Sequence, residues 1–162
     1  MLRRLPWVIL LCVVAAPAAP ADEAAPPATQ PAEDLKYTPV APELIEAFDR
    51  QARQWAERAR EFSPTMHLVE TEHFLVFTDW KATNDRPLAE VCEKMYGGMC
   101  RQFDIPPEQN IWAGKCPVYI FWEAEHYRRF TTEVDARGMD KAAGYCAWSG
   151  QGFVYIVMNR VK

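Results

Sequence analysis

Histidine is the first residue type to examine, because imidazole is the side chain that most often binds a catalytic metal or transfers a proton near neutral pH. The chain has three, His67, His73 and His126. It contains no His-Glu-x-x-His sequence, so no helix offers two imidazoles to one metal. On one continuous strand, His67 and His73 would lie about 20 Å apart. We therefore predict no metal ligand on this chain, and zinc only if a zinc-binding segment follows it.

The densest group of ionisable residues is Glu123-Ala124-Glu125-His126. At the start of a predicted helix, the two carboxylates interact favourably with the positive end of the helix dipole. We prefer this role for Glu123, Glu125 and His126; acid–base or metal chemistry is the alternative. Ser149 lies in a sequence that resembles a nucleophile elbow, but Ala147 replaces the required glycine. We interpret Ser149 as a turn residue and predict no complete catalytic set.

The cysteines outside the leader described below are Cys92, Cys100, Cys116 and Cys146, and an even number in an exported chain favours two disulfides. Cys92 and Cys100 lie eight residues apart on one predicted helix, roughly 12 Å along its axis. A disulfide needs Cα atoms within about 7 Å, so these two are not paired with each other. We predict the pairs Cys100–Cys116 and Cys92–Cys146; four buried free thiols are the alternative.

The N-terminus has the three parts of a secretory signal peptide. Arg3 and Arg4 provide the positive charge, residues 5–16 form the apolar stretch, and Ala19-Pro20-Ala21 matches a cleavage site. The apolar stretch is too short to cross a hydrocarbon core of about 30 Å as a helix. We therefore predict that residues 1–21 are removed, that no stable membrane span remains, and that the protein is secreted or periplasmic.

The charge of the mature chain argues against a nucleic-acid partner. The full sequence has 18 basic and 22 acidic residues, and loss of the two leader arginines changes the formal charge from −4 to −6. Binding to phosphates requires a basic surface instead. Residues 22–42 are rich in alanine and proline and contain few residues that could form a core, which predicts a disordered linker.

Residues 43–162 contain the periodic patterns of one α+β domain. Apolar residues at helical spacing predict a first helix, and shorter apolar runs predict strands. Gly97-Gly98 would then allow a helix to approach the sheet closely. We expect a small sheet of about four strands with two to three packed helices. The predicted elements are a helix at 43–62, a strand at 67–79, a helix capped by Asn84-Asp85 and ending near Phe103, a strand at 116–122, a helix at 123–137 capped by Gly138, and a hairpin of strands 144–149 and 153–158.

Three local patterns, two strands and a hairpin, resemble bacterial secreted peptidase MA-like proteins, which are zinc metallopeptidases of the gluzincin type. Residues 71–78 resemble the opening strand of that family, and residues 117–121 resemble its second strand. Residues 143–146 and 154–157 resemble the hairpin that follows. The resemblance covers residues 71–160 and implies an α+β fold. In the family a zinc helix carrying His-Glu-x-x-His follows this hairpin, and this sequence contains no such motif.

The expected function is that of an exported α+β domain, resembling the part of such a metallopeptidase that precedes the zinc helix. It would lack a complete active site, and a longer protein containing it would be a zinc metallopeptidase. The alternative is a stand-alone extracytoplasmic binding module for a peptide, protein or glycan ligand. Its ligand would contact an aromatic surface, whose expected members are Trp112, Trp122, Trp148, Tyr145 and Tyr155.

Overall fold

The computed structural model describes residues 40–106, 109–149 and 152–160. The predicted signal peptide, and the predicted linker up to residue 39, lie outside these ranges. The helices and strands are α1 (Pro42–Arg60), β1 (His67–Glu70), β2 (Phe74–Thr78), α2 (Asp85–Gln102), β3 (Cys116–Phe121), α3 (Ala124–Arg129), β4 (Gly144–Trp148) and β5 (Val154–Asn159).

Helix α1 forms where the sequence predicts it. Pro42 occupies its first turn, where a missing N–H costs no hydrogen bond. The stripe that faces the core consists mainly of small residues around one aromatic ring, namely Phe48, Ala52, Ala56 and Ala59. These short side chains let α1 approach the sheet so closely that the Tyr119 hydroxyl on β3 donates to the Ala52 carbonyl at 2.9 Å.

The continuous strand predicted over residues 67–79 is wrong. The chain turns at Thr71-Glu72-His73, and β1 and β2 pair antiparallel. The turn is closed locally, because the Thr71 hydroxyl accepts the Phe74 N–H at 3.0 Å. A short polar side chain that bonds the nearby backbone favours a turn over a continued strand. The described residues therefore form a five-stranded sheet instead of the expected four.

The strand order of the sheet is β1-β2-β3-β5-β4. Strands β2, β3 and β5 are parallel neighbours, and the two outer strands run antiparallel to them. Every residue of β2 and β3 is buried, as expected for strands covered on both faces. The carboxyl ends of the three parallel strands meet at one edge of the sheet.

Two apolar cores lie on opposite faces of this sheet. The first core is packed between the sheet, α1, α3 and the turn that follows α3; Tyr119 and Phe130 lie near its centre. The second core lies beneath α2 and contains Cys92, Tyr96 and Cys116. Helix α2 packs on β1 and β2. The α+β fold class is thus confirmed.

Three local expectations are corrected by the structure. Asn84 ends a 3₁₀ turn, and its side chain makes no capping hydrogen bond to α2. Gly97 and Gly98 do not allow a close approach, because a Cβ at either position would meet no sheet atom within 4 Å. The helix predicted to reach residue 137 is α helical only to Arg129 and continues as a π-helical turn over Phe130–Val134.

Candidate functional site

A cleft of about 320 Å³ opens between α1 and the β4–β5 hairpin. Its apolar wall is aromatic and includes Phe48, Trp55 and Phe153. Phe48 and Phe153 stack at a centroid distance of 4.9 Å, which fixes the wall in place. Trp148 lies at the rim with 73% of its surface exposed. A concave aromatic surface with a few polar groups is the usual composition of a small-molecule site.

The polar part of the cleft is centred on the carboxylate of Asp135, whose side chain is only 2% exposed. The Tyr145 hydroxyl donates to its Oδ2 atom, and the Tyr155 hydroxyl donates to its Oδ1 atom. Burial of an ionised group is costly unless it is hydrogen-bonded, and the two phenols provide these bonds. The carboxylate therefore has a fixed position and orientation.

The backbone around Asp135 has unusual geometry. The Asp135 N–H bonds to the Phe130 carbonyl five residues earlier at 2.9 Å, the bond of a π-helical turn. Ala136 then has a φ of +58°, a left-handed conformation that residues with a Cβ rarely adopt. Gly138, the predicted helix cap, has a φ of +65° and ends this segment. Strained turns of this kind concentrate at functional sites, and this one places Asp135 and Arg137 at the cleft.

Arg137 forms the cationic side of the cleft. Its Nε donates to the Tyr155 hydroxyl at 2.7 Å and lies 3.4 Å from Asp135 Oδ1. The guanidinium also lies 5.7 Å from the centre of the Tyr155 ring, within cation–π distance. These contacts fix one end of the guanidinium, while 48% of the side chain remains exposed. The exposed part can donate hydrogen bonds to an anion that enters the cleft.

The two phenols remain donors over the physiological pH range. Burial raises the pKa of both Tyr145 and Tyr155, and their hydrogen bonds to Asp135 raise it further. A neutral phenol keeps its proton for the carboxylate, so the bonds to Asp135 persist. Both hydroxyls therefore remain hydrogen-bond donors that hold the Asp135 carboxylate at the cleft.

A second polar group lies at the carboxyl ends of β2 and β3. The Asp79 side chain is 2% exposed, and its Oδ2 accepts the His126 Nδ1–H at 2.8 Å. The same oxygen accepts the Ser63 hydroxyl at 3.0 Å, and Oδ1 accepts the backbone N–H of Trp122 at 2.5 Å. A carboxylate that holds one ring nitrogen orients the other for proton transfer or metal binding. Asp79 also ties the ends of α1, β2 and β3 to α3, which is a structural role.

The other two histidines connect the β1–β2 hairpin to α2. His67 Nε2 lies 2.9 Å from Asp85 Oδ1 at the start of α2. His73 Nδ1 lies 2.7 Å from Glu93 Oε2, and its ring stacks on Tyr96 at a centroid distance of 3.7 Å. Each of the three imidazoles thus has its own carboxylate partner. The distance of about 20 Å expected between His67 and His73 assumed one continuous strand, and it does not apply because the two residues belong to a hairpin.

Glu123, Glu125 and His126, the densest ionisable group in the sequence, do not form one cluster in the structure. His126 turns inward to Asp79, whereas Glu125 binds Arg128 at 2.9 Å on the outer side of α3. Glu123 is exposed at the N-cap of α3 and makes no capping bond. In the three described ranges, no group of three or more histidine, cysteine, aspartate or glutamate side chains is placed to bind a metal ion.

The four cysteines within the described residues are free. Cys92 and Cys116 lie in the second core, Cys100 packs against it, and Cys146 is exposed on β4. Burial raises the pKa of Cys92 to about 11 and raises that of Cys116 further. Both therefore remain protonated thiols at neutral pH. The predicted pairs, Cys100–Cys116 and Cys92–Cys146, stay predictions.

The five aromatic residues expected to form one binding surface occupy three places. Trp148 and Tyr155 line the cleft, and Tyr145 bonds Asp135 behind it. Trp112 packs in the second core, and Trp122 lies at the carboxyl edge of the sheet with Arg160 over its ring at 3.9 Å.

Sequence reasoning missed the polar residues of the cleft. The available signal was the stretch Val134-Asp135-Ala136-Arg137-Gly138, where two charged residues and a glycine interrupt a helical pattern. Such a stretch indicates a turn. The hydrogen-bond partners of Asp135 are Tyr145 and Tyr155, which lie on strands that pair only in the folded sheet. The sequence alone therefore could not predict that they bond to this carboxylate.

Comparison of the chain with known protein families, curated proteins and solved structures finds no match. Among the residues that the structure describes, no helix combines the length and apolarity needed to cross a membrane.

Proposed function

We propose that this chain is the exported α+β part of a peptidase MA-like metallopeptidase that precedes the zinc helix, and that it has no complete active site of its own. The supporting observation is a partly exposed apolar surface on the α2 side of the sheet, which we call the apolar groove. Because side chains alternate along paired strands, Cys146, Ile156 and Met158 share that face. Helix α2 packs on the other half of it, and Cys146 and Met158 remain exposed.

Helix α2 supplies the second wall of the groove. Glu93 faces the β1–β2 turn through its bond to His73. Helical geometry places Val91 and Met95 on the opposite flank, and both are exposed although apolar. A groove between a helix and a half-covered sheet has the shape that accepts another helix. In the family that the sequence resembles, the element after this hairpin is the zinc helix.

The test compares the 162-residue chain with a longer product of the same gene. We expect one zinc per molecule and chelator-sensitive peptide cleavage only in the longer product. Met158→Lys should impair zinc binding in the longer product and leave the folding of the short chain intact, because this side chain is exposed there. Arg86→Gln, which changes an exposed residue of α2, is the control and should affect neither.

Two results would overturn this proposal. One is chelator-sensitive cleavage by the 162-residue chain itself. The other is a longer product that binds no zinc. Equal zinc binding by Met158→Lys and the parent would show that no helix occupies the groove.

A second candidate function is a binding module, and the cleft favours it. Its aromatic wall, buried Asp135 and half-exposed Arg137 form a site with both apolar and polar parts. The cleft lies against α1, on the opposite face of the sheet from the apolar groove. The two functions therefore do not compete for one surface. Loss of ligand binding after Trp148→Ala, with Trp122→Ala as an exposed-tryptophan control, tests this function.

A further inference from the structure

The cleft combines an apolar wall with one oriented cation, and this combination restricts its ligand. The wall offers aromatic rings from α1 and from β5, and the exposed Trp148 is also among the residues that line the cleft. The guanidinium of Arg137 is held at Nε by Tyr155, and 48% of the side chain is exposed. A ligand that uses both features needs an apolar group and an anionic group close together.

We infer that the cleft binds a small apolar carboxylate, such as the C-terminal residue of a peptide with a large apolar side chain. This inference rests on the second candidate function, a binding module. The apolar side chain of the ligand packs against the aromatic wall, and the carboxylate of the ligand accepts hydrogen bonds from Arg137. A planar guanidinium and a carboxylate fit each other in a two-bond geometry that also fixes their orientation.

The buried Asp135 does not oppose an incoming anion strongly. Both of its oxygens accept phenol O–H groups, and the Arg137 Nε lies 3.4 Å from Oδ1, so the cation offsets the charge of the carboxylate. Without Asp135 and Tyr155 the guanidinium would rotate freely, and binding would cost more side-chain entropy. The buried carboxylate thus positions Arg137, and we assign it no direct contact with the ligand.

The size of the cleft limits the ligand further. A volume of about 320 Å³ is near the lower end of the range for ligand pockets, roughly 300–1,000 Å³. It accommodates one residue-sized group. We therefore expect recognition of a terminal residue, with any preceding residues of a peptide outside the cleft.

The experiment is calorimetric titration of the 162-residue chain with N-acetyl-phenylalanine and with its amide, which lacks the negative charge. We expect the carboxylate to bind at least tenfold more tightly. Arg137→Gln should remove this difference and leave weak binding of both compounds. Trp148→Ala should weaken both by a similar factor, because Trp148 lines the cleft and carries no charge. The controls are Arg86→Gln and Trp122→Ala, which lie outside the cleft and should bind as the parent does. Circular dichroism checks that each variant is folded.

Other outcomes would overturn the inference. Equal affinity for the acid and the amide would show that Arg137 does not distinguish a charged ligand from a neutral one. Binding of a neutral disaccharide but of neither phenylalanine derivative would leave a binding module with a glycan ligand. Unchanged binding by both cleft variants would exclude the cleft itself. None of these results depends on a zinc helix, so they are separable from failure of the metallopeptidase proposal.

Discussion

Asp135→Asn tests whether the buried carboxylate holds the cleft together. The substitution keeps the shape of the side chain but leaves one acceptor oxygen where Tyr145 and Tyr155 now use two. A hydrogen bond to a charged group contributes about 1.5–3 kcal/mol. One such bond is lost outright, and the other becomes a bond to a neutral amide. We therefore expect the free energy of unfolding to fall by about 2–3 kcal/mol.

The assay is urea unfolding followed by circular dichroism, with linear extrapolation to water. Tyr145→Phe alone should cost about 1.5 kcal/mol, the lower limit for a bond to a charged group. In the Asp135→Asn background it should cost at least about 1 kcal/mol less, because the bond it removes is already weakened. Asp140→Asn changes an exposed carboxylate of the same segment. This control should stay within about 0.5 kcal/mol of the parent.

The reasoning is refuted if Asp135→Asn unfolds within about 0.5 kcal/mol of the parent, the range of an ordinary surface substitution. Strict additivity of the Asp135 and Tyr145 substitutions would refute it as well, since residues that share one buried bond should show coupling. If Asp140→Asn lost as much stability as Asp135→Asn, the cause would be the charge of the segment and not the hydrogen bonds of Asp135.

Three further predictions concern the rest of the domain. Burial lowers the pKa of His67, but its bonds to Asp85 and to the Thr65 carbonyl raise it above the ordinary value. Protonated His67 therefore adds stability that is fully present below about pH 6.5 and disappears as pH rises through the raised pKa. His67→Gln should lower the urea concentration at the unfolding midpoint more at pH 5.5 than at pH 8.5. An equal decrease at the two pH values would contradict this. Gly97→Ala should stabilise by about 0.5–1 kcal/mol, whereas Gly144→Ala should destabilise, because its Cβ would lie 2.8 Å from a backbone oxygen of β5; thermal unfolding of both variants checks the signs. Under reducing native conditions, Cys146 should react with iodoacetamide before the buried cysteines do, as followed by mass spectrometry; faster labelling of a buried thiol would contradict this. A non-reducing map that shows Cys100–Cys116 and Cys92–Cys146 would support the pairs predicted from the sequence.

Several elements could be predicted because their signals are local. The period of apolar residues in α1 and the apolar run of β3 follow from the geometry of one helix or one strand. The β4–β5 hairpin was indicated in the same way. The error at residues 67–79 arose because the strand pattern continues through Thr71, whereas the backbone N–H and the side chain of Thr71 both bond to Phe74 and turn the chain.

The sequence by itself determined the type and approximate bounds of most elements and the α+β class, since these depend on neighbours a few residues apart. Only the tertiary structure decided the strand order, the half-covered sheet face and the placement of Asp135 between Tyr145 and Tyr155. Strand order and register bring residues from distant parts of the chain together, and a one-residue change of register would move each side chain to the opposite face. The pairing of His126 with Asp79, 47 residues away, likewise exists only because β2 and β3 end side by side.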